Sequence, residues 1–225
     1  MPHFDSPICN YEYKLITPPT ETPVTVEQFK DKLNIAASDT SKDDLIDRLI
    51  KAATKIAEQF LNRQLVTQSW ALFLDRFGIH NHHHHSDHGF HDSFFHEGIT
   101  LKKRPFDSLT KVEFYPVDWN KTDARDDFDI NKFFQTEATQ GRDGEIILFD
   151  DETFPDTFNI RQAIRIEFIA GQVVADICPD IAEAILVIAV FMFEHPGDCS
   201  CDGGTGIPAE AKVLLHQHRV YPNCT

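Results

Sequence analysis

The densest set of ligating side chains is the segment from His80 to His96, where eight histidines (80, 82, 83, 84, 85, 88, 91 and 96) fall among Asp87, Asp92 and Glu97. Neutral imidazoles bind transition metals, so zinc, nickel or copper affinity at neutral pH follows from residue type, with His82, His84, His85, His88 and His91 as candidate ligands. The same composition suits a solvated loop between two strands. That reading is favoured, because a defined site needs outer-shell support that a flexible loop seldom gives. Zinc or nickel there is expected to be adventitious, and no cofactor is expected. His195, Cys199 and Cys201 also combine ligand types, but Cys-x-Cys without a second pair departs from the common structural-zinc spacings. A free-thiol loop explains the pair equally well.

Other patterns lack parts their chemistry requires. Gly203-Gly204-Thr205-Gly206 has no following Lys-Ser or Lys-Thr and no preceding strand, so a phosphate cradle would lack its cation and its magnesium ligand. No Gly-x-Ser-x-Gly elbow and no His-Glu-x-x-His helix occurs. The carboxylates between Asp118 and Asp129 resemble a wet acidic loop more than a paired acid and base. No residue is nominated as catalytic, and the protein is not expected to be an enzyme.

The elements that position these residues can be read from periodicity. Tyr11 to Ile16 suits an extended stretch, followed by Pro18, Pro19 and Pro23, and reads as an N-terminal strand or arm. Thr25 and Gln28 have capping-box spacing ahead of Phe29 and Leu33, which predicts a short helix ending near Asn34. Apolar residues then recur at Leu45, Ile46, Leu49, Ile50, Ala53, Ile56, Ala57, Phe60 and Leu61, a one-sided helical stripe with Asp47, Arg48, Lys51, Lys55, Glu58 and Asn62 on its wet face. From Thr67 the period becomes that of strands: 67–74, 99–102, 109–115, 130–134, 145–149 and 163–169, whose spacing suggests an antiparallel meander. Pro179 opens a helix over 181–195 that is apolar nearly all round except Glu183, as in a bundle or against another subunit. Pro208 opens a last helix, Ala209 to about His218, with Val213, Leu214 and Leu215 on its apolar side.

Composition bounds the function classes. With 225 residues and 41% hydrophobic content the chain can bury a sizeable core, so extensive disorder is not expected. The 19 Phe, with Trp70 and Trp119, are mostly core by expectation, with some as interface anchors. A net charge of -15 repels nucleic acid and anionic membrane, which suits a passage for DNA better than a site that grips it. The longest apolar run, Ala184 to Phe193, is about half of the ~20 residues that span a bilayer. Five cysteines and an N-terminus without a signal-peptide pattern point to assembly in a reducing cytosol.

Several segments, in order, resemble the head-tail connector family of long-tailed bacteriophages and gene transfer agents, also called adaptor or head-completion proteins. Val24 to Lys30 with Leu33 is similar to the family's first helix, and Asp44 to Leu65 to its second. Thr67 to Phe77, then Ile99, Leu101, Pro105, Ser108, Leu109 and Val112, resemble its first strands. Ala163 to Gly171 is similar to its last strand, Pro179 to Leu186 to its third helix, and Ile207-Pro208, Leu214-Leu215 and Arg219-Val220-Tyr221 to its C-terminal segment. The His-rich loop, the loop 196–206 and the long N-terminal arm depart from the pattern.

The resemblance implies an α+β fold, a small helical bundle of two N-terminal and two C-terminal helices with an inserted antiparallel β-module. The boundaries expected are an arm over 1–23, a helical module from 24–66 plus 179–221, a β-module over 67–171 carrying the His-rich loop 80–96, and a flexible loop over 196–206. It also implies a structural virion protein of the neck, assembled in the host bacterial cytoplasm. The protein would form a ring under the portal, expected to be a dodecamer, which connects the DNA-filled head to the tail and helps retain the genome. Its partners would be the portal protein, a tail or stopper (head-closure) protein and further copies of itself, with DNA passing through the channel without specific binding and no membrane. In this family the C-terminal segment docks on the portal, which assigns that contact to Ile207, Pro208, Leu214, Leu215, Arg219, Val220 and Tyr221. Removal of 207–225 is expected to leave a folded protein. The alternative is a metal-binding accessory protein using loop 80–96.

Overall fold

The computed structural model describes residues 11–77, 98–135, 143–149, 152–196 and 207–220. The chain divides into two compact units, a β unit within Met1–Pro18 and Gln68–Ala170 and a helical unit within Pro19–Thr67 and Gly171–Thr225. The fold class is the expected one, α+β with an antiparallel β-module inserted into a four-helix unit.

In the helical unit, the Thr25 hydroxyl accepts from the Gln28 N–H at 3.3 Å while the Gln28 side chain accepts from the Thr25 N–H at 2.9 Å. This capping box satisfies two of the donors that a helix start leaves open, and helix α1 (Val26–Lys32) follows from it. Helix α2 (Asp43–Leu61) turns the expected stripe inward, burying Ile46, Ile50, Ala53, Ala57 and Leu61, and stops at Asn62 in the left-handed region (φ 55°). Glu58 is not on the wet face: it is only 6% exposed. Its carboxylate accepts from the Leu65 N–H at 2.9 Å and pairs with Lys55 at 3.0 Å, so the buried charge is compensated and serves the turn after the helix. Helix α3 (Pro179–Glu194) buries Ile181, Ala184, Ile185, Ile188 and Ala189, and helix α4 (Ala209–His216) buries Ala211 and Leu215. These side chains share one apolar core with Phe29, Leu65 and Ile207.

The β unit contains β1 (Glu12–Thr17), β2 (Gln68–Leu74), β3 (Gly98–Leu101), β4 (Phe106–Phe114), β5 (Asp126–Phe128), β6 (Phe133–Gln135), β7 (Gly144–Leu148) and β8 (Ile164–Ala170). One sheet has the order β1-β2-β8-β4-β5 and a second the order β3-β7-β6. All pairs are antiparallel, but they do not form a meander: β8 sits between β2 and β4, pairing Trp70 with Phe168 and Val112 with Ile166. Alternate residues of β8, namely Ile164, Ile166, Phe168 and Ala170, are fully buried, and such a strand belongs at the centre of a sheet. The two sheets contribute to one apolar core, with Leu72, Leu101, Val112, Phe133, Ile146, Ile166 and Phe168 in a single cluster.

Two further segments differ from the sequence expectation. The acidic stretch contains β5, an edge strand held on β4 through Val112–Phe128 pairing, and 130–134 is half a 3-10 turn capped by Asp129 and half β6. Asp129 competes for the backbone by accepting from the Asn131 N–H at 2.9 Å, which favours the turn over continued strand.

The chain leaves the helical unit and returns to it at one place. Val66 and Gln172 form a parallel bridge, the Gln172 N–H donates to the Leu65 carbonyl at 3.2 Å, and the Thr67 N–H donates to the Gln172 carbonyl at 3.1 Å. Gly171 makes this return possible: its φ is +102°, and a Cβ there would lie 2.2 Å from the Val66 carbonyl oxygen.

Candidate docking surface

The C-terminal segment is built on an i, i+4, i+8 stripe. Ile207 (3% exposed), Ala211 and Leu215 (both 0%) face the helical core. Helix α4 therefore cannot rotate without exposing them, and its outer face is fixed. Val213 lies on that face at 74% exposure, not on the apolar inner side that its neighbours suggest. Pro208 and Leu214 are half-buried.

After α4 the chain is tied down at three points. The Val220 N–H donates to the Leu61 carbonyl at 3.0 Å, and the Arg219 guanidinium sits 4.9 Å from the Phe60 ring centroid, an arrangement in which the ring face attracts the cation. The Gln217 amide donates to the Asp180 carboxylate at 2.9 Å. Of the seven residues expected to dock, Ile207 and Leu215 are core anchors, Pro208, Leu214 and Val220 are half-buried, Arg219 is exposed, and Tyr221 lies outside the described residues. The structure also removes the ground for expecting 207–225 to be dispensable for folding. That deletion takes Ile207, Ala211 and Leu215 out of the core shared with α3.

The metal candidates of the His-rich loop, His82, His84, His85, His88 and His91, lie outside the described residues, as do Cys199 and Cys201. His195 is described and is stacked on Phe191 with ring centroids 4.6 Å apart, its Nδ1 3.2 Å from the Phe191 carbonyl. The mixed ligand set that the described residues do bring together was not expected: Cys178, Asp180 and His218, whose donor atoms all lie within 4.8 Å of one another. Sequence spacing hides it, since His218 is far along the chain from the other two and joins them only when α4 packs on α3.

The acidic stretch is organised around aromatic rings. Arg125 lies 4.4 Å from the Tyr115 ring centroid, Tyr115 and Trp119 are 4.2 Å apart, and the Trp119 indole N–H donates to the Asp123 carbonyl at 2.9 Å. No described helix is long and apolar enough to cross a membrane.

Residues 23–82 match the family model described as "Phage gp6-like head-tail connector protein". No curated protein matches the chain. Among solved structures, a chain from the "Neck of empty GTA particle computed with C6 symmetry" superposes with a TM-score of 0.70 at 16% identity, covering 94% of this chain and 96% of that one. A chain from the "Neck of native GTA particle computed with C12 symmetry" gives 0.65 at 16% identity over 94% and 96%. One from the "Virion of native gene transfer agent (GTA) particle" gives 0.64 at 16% identity over 93% and 96%. At that identity the likeness shows a shared fold, and it extends along nearly the whole chain. The family match over residues 23–82 and the fold shared over 94% of the chain together bear out the resemblance to the head-tail connector family.

Proposed function

We propose that the protein is a structural subunit of the neck of a tailed-phage or gene-transfer-agent particle. It assembles as a ring beneath the portal, carries the tail or a head-closure protein below, and helps retain the packaged genome. The observation that supports this most is the fold shared with neck chains over 94% of the sequence, together with the connector-family match over residues 23–82. The C12 symmetry of one of those necks favours a twelve-membered ring. A ring of that kind is closed by a heterologous contact, in which two different faces of each subunit meet. The net charge of -15 suits a channel that lets DNA pass without holding it. The role needs no catalytic step.

In this reading the portal contact lies on the C-terminal segment, and the buried and exposed residues divide the work. Ile207 and Leu215 anchor the segment, while Pro208, Leu214, Arg219, Val220 and Tyr221, joined by exposed Val213, meet the portal. Electron microscopy of particles from the parent phage or agent lacking this gene tests the neck role. Separate filled heads and finished, unattached tails are expected, and normal tailed particles would overturn it. Co-sedimentation of portal with a Val213→Asp, Arg219→Glu variant tests the contact separately. Loss of binding by a folded variant is expected, and undiminished binding would overturn the docking assignment while leaving the neck role standing.

A further inference from the structure

Cys178, Asp180 and His218 supply a thiol, a carboxylate and an imidazole, the three donor types that zinc prefers. His218 Nε2 and Asp180 Oδ2 are 3.6 Å apart. Two ligands held at about 2.0–2.1 Å from a tetrahedral zinc ion are separated by roughly 3.3–3.4 Å, so this edge needs an adjustment of only a few tenths of an ångström. The sulfur lies within the same 4.8 Å envelope, a distance that side-chain rotation can close.

The backbone holds all three positions. Cys178 is the residue before the first turn of α3, where Pro179 fixes the chain, and its carbonyl accepts from the Ile181 N–H at 3.0 Å. His218 is fixed by its own N–H to the Leu215 carbonyl at 3.0 Å and by the Val220 N–H to the Leu61 carbonyl. The Gln217 amide on Asp180 is an outer partner of the kind that orients a ligating carboxylate. Arg63 interacts electrostatically with Cys178, while its guanidinium donates to Gln172 at 2.7 Å.

An unmet requirement points to a ligand. Nε2 of His218 is buried and makes no hydrogen bond among the described residues. Buried polar atoms are rarely left so. The 3.6 Å separation from Asp180 Oδ2 is longer than a hydrogen bond and does not replace one.

We propose that Cys178, Asp180 and His218 form a binding site for Zn²⁺ or a comparable divalent first-row metal, with water in the fourth position, that clips the turn after α4 to the start of α3. On binding, the Cys178 thiol gives its proton to solvent and the thiolate, carboxylate and neutral imidazole each donate a lone pair to the ion. The site is independent of the His-rich loop and of the neck role.

Co²⁺ added to the reduced, metal-free full-length protein tests this, because a thiolate ligand gives a sulfur-to-cobalt charge-transfer band that histidines alone do not give. The expected result is such a band, saturating at one equivalent and displaced by Zn²⁺. It should persist when Cys9, Cys199, Cys201 and Cys224 are all replaced by Ser. Cys178→Ser should abolish it, and His218→Gln and Asp180→Asn should each weaken Co²⁺ binding at least about tenfold, with circular dichroism confirming that the variants fold. Absence of the band, its persistence in Cys178→Ser, its loss in the four-cysteine variant, or unchanged affinity in folded His218→Gln would overturn the proposal.

Discussion

Tyr13 is an aromatic residue on an edge strand whose hydroxyl is nevertheless withdrawn from water. Its ring lies edge-on to Phe168 at 6.4 Å, and its oxygen accepts from the Lys102 N–H at 3.0 Å. Burial pushes its pKa up to about 12, the hydrogen bond from Lys102 opposes the rise, and the Asp143 and Tyr11 charges add to it. A raised folded-state value means that the native protein keeps this proton between about pH 10, where an unfolded tyrosine releases it, and about pH 12. The associated stability, roughly 2–3 kcal/mol, is fully present below the unfolded pKa and is lost as pH rises through the folded one. Phenolate absorbance should show one tyrosine titrating last. Urea midpoints measured across this range should fall more steeply for the wild type than for Tyr13→Phe, and parallel slopes would refute the assignment. Gly171 presents the opposite problem, a backbone that tolerates no side chain. Gly171→Ala should cost about 2 kcal/mol or more, seen as a lower denaturant midpoint at unchanged slope.

Helix α4 shows how one element separates anchoring from contact. Leu215→Ala should destabilise the helical unit by about 2–4 kcal/mol, whereas Val213→Asp should leave thermal and denaturant midpoints within about 0.5 kcal/mol of wild type. Equal effects in unfolding experiments would contradict the inward stripe at 207, 211 and 215. The elements themselves were largely legible in the sequence, because each signal is local: the Thr25–Gln28 cap, the α2 stripe, Pro179 and Pro208 ahead of helices, the alternation in β2 and β8. The arrangement of the strands was not. Pairing of β2 with β8 joins residues nearly a hundred positions apart, and no local period encodes it. Strand β5 was hidden because Asp126 and Asp127 face solvent and only Phe128 packs against the core. Glu58 was misread because a stripe argument counts side chains and not the backbone donors that a helix end leaves for a carboxylate to satisfy. The docking set was legible as a segment only. Which of its residues anchor and which stay accessible depends on how α4 packs on α3.

For the whole molecule, charge sets the terms of assembly. Copies carrying -15 each repel one another over the Debye length, which shrinks from about 30 Å at 0.01 M salt to about 8 Å at 0.15 M. If the subunits close into the proposed ring, sedimentation velocity should show more of the large species as salt is raised from the lower to the higher value. A fall with salt would mean that attractive ion pairs across the subunit contact outweigh the net repulsion.

The clasp at Val66 and Gln172 bears on how such a chain can vary over time. Because the outgoing and returning segments are bridged to each other at Val66 and Gln172, the helical unit experiences everything from Gln68 to Ala170 as one loop whose ends are already joined. The entropy of closing a loop grows only with the logarithm of its length, so each doubling costs only about 0.6 kcal/mol. Insertions within that span are therefore nearly invisible to the four helices, provided Gly171 and the two backbone hydrogen bonds beside it survive. The histidine-bearing stretch falls within that span, between β2 and β3, so a change in its length leaves the clasp and the helical core it closes untouched.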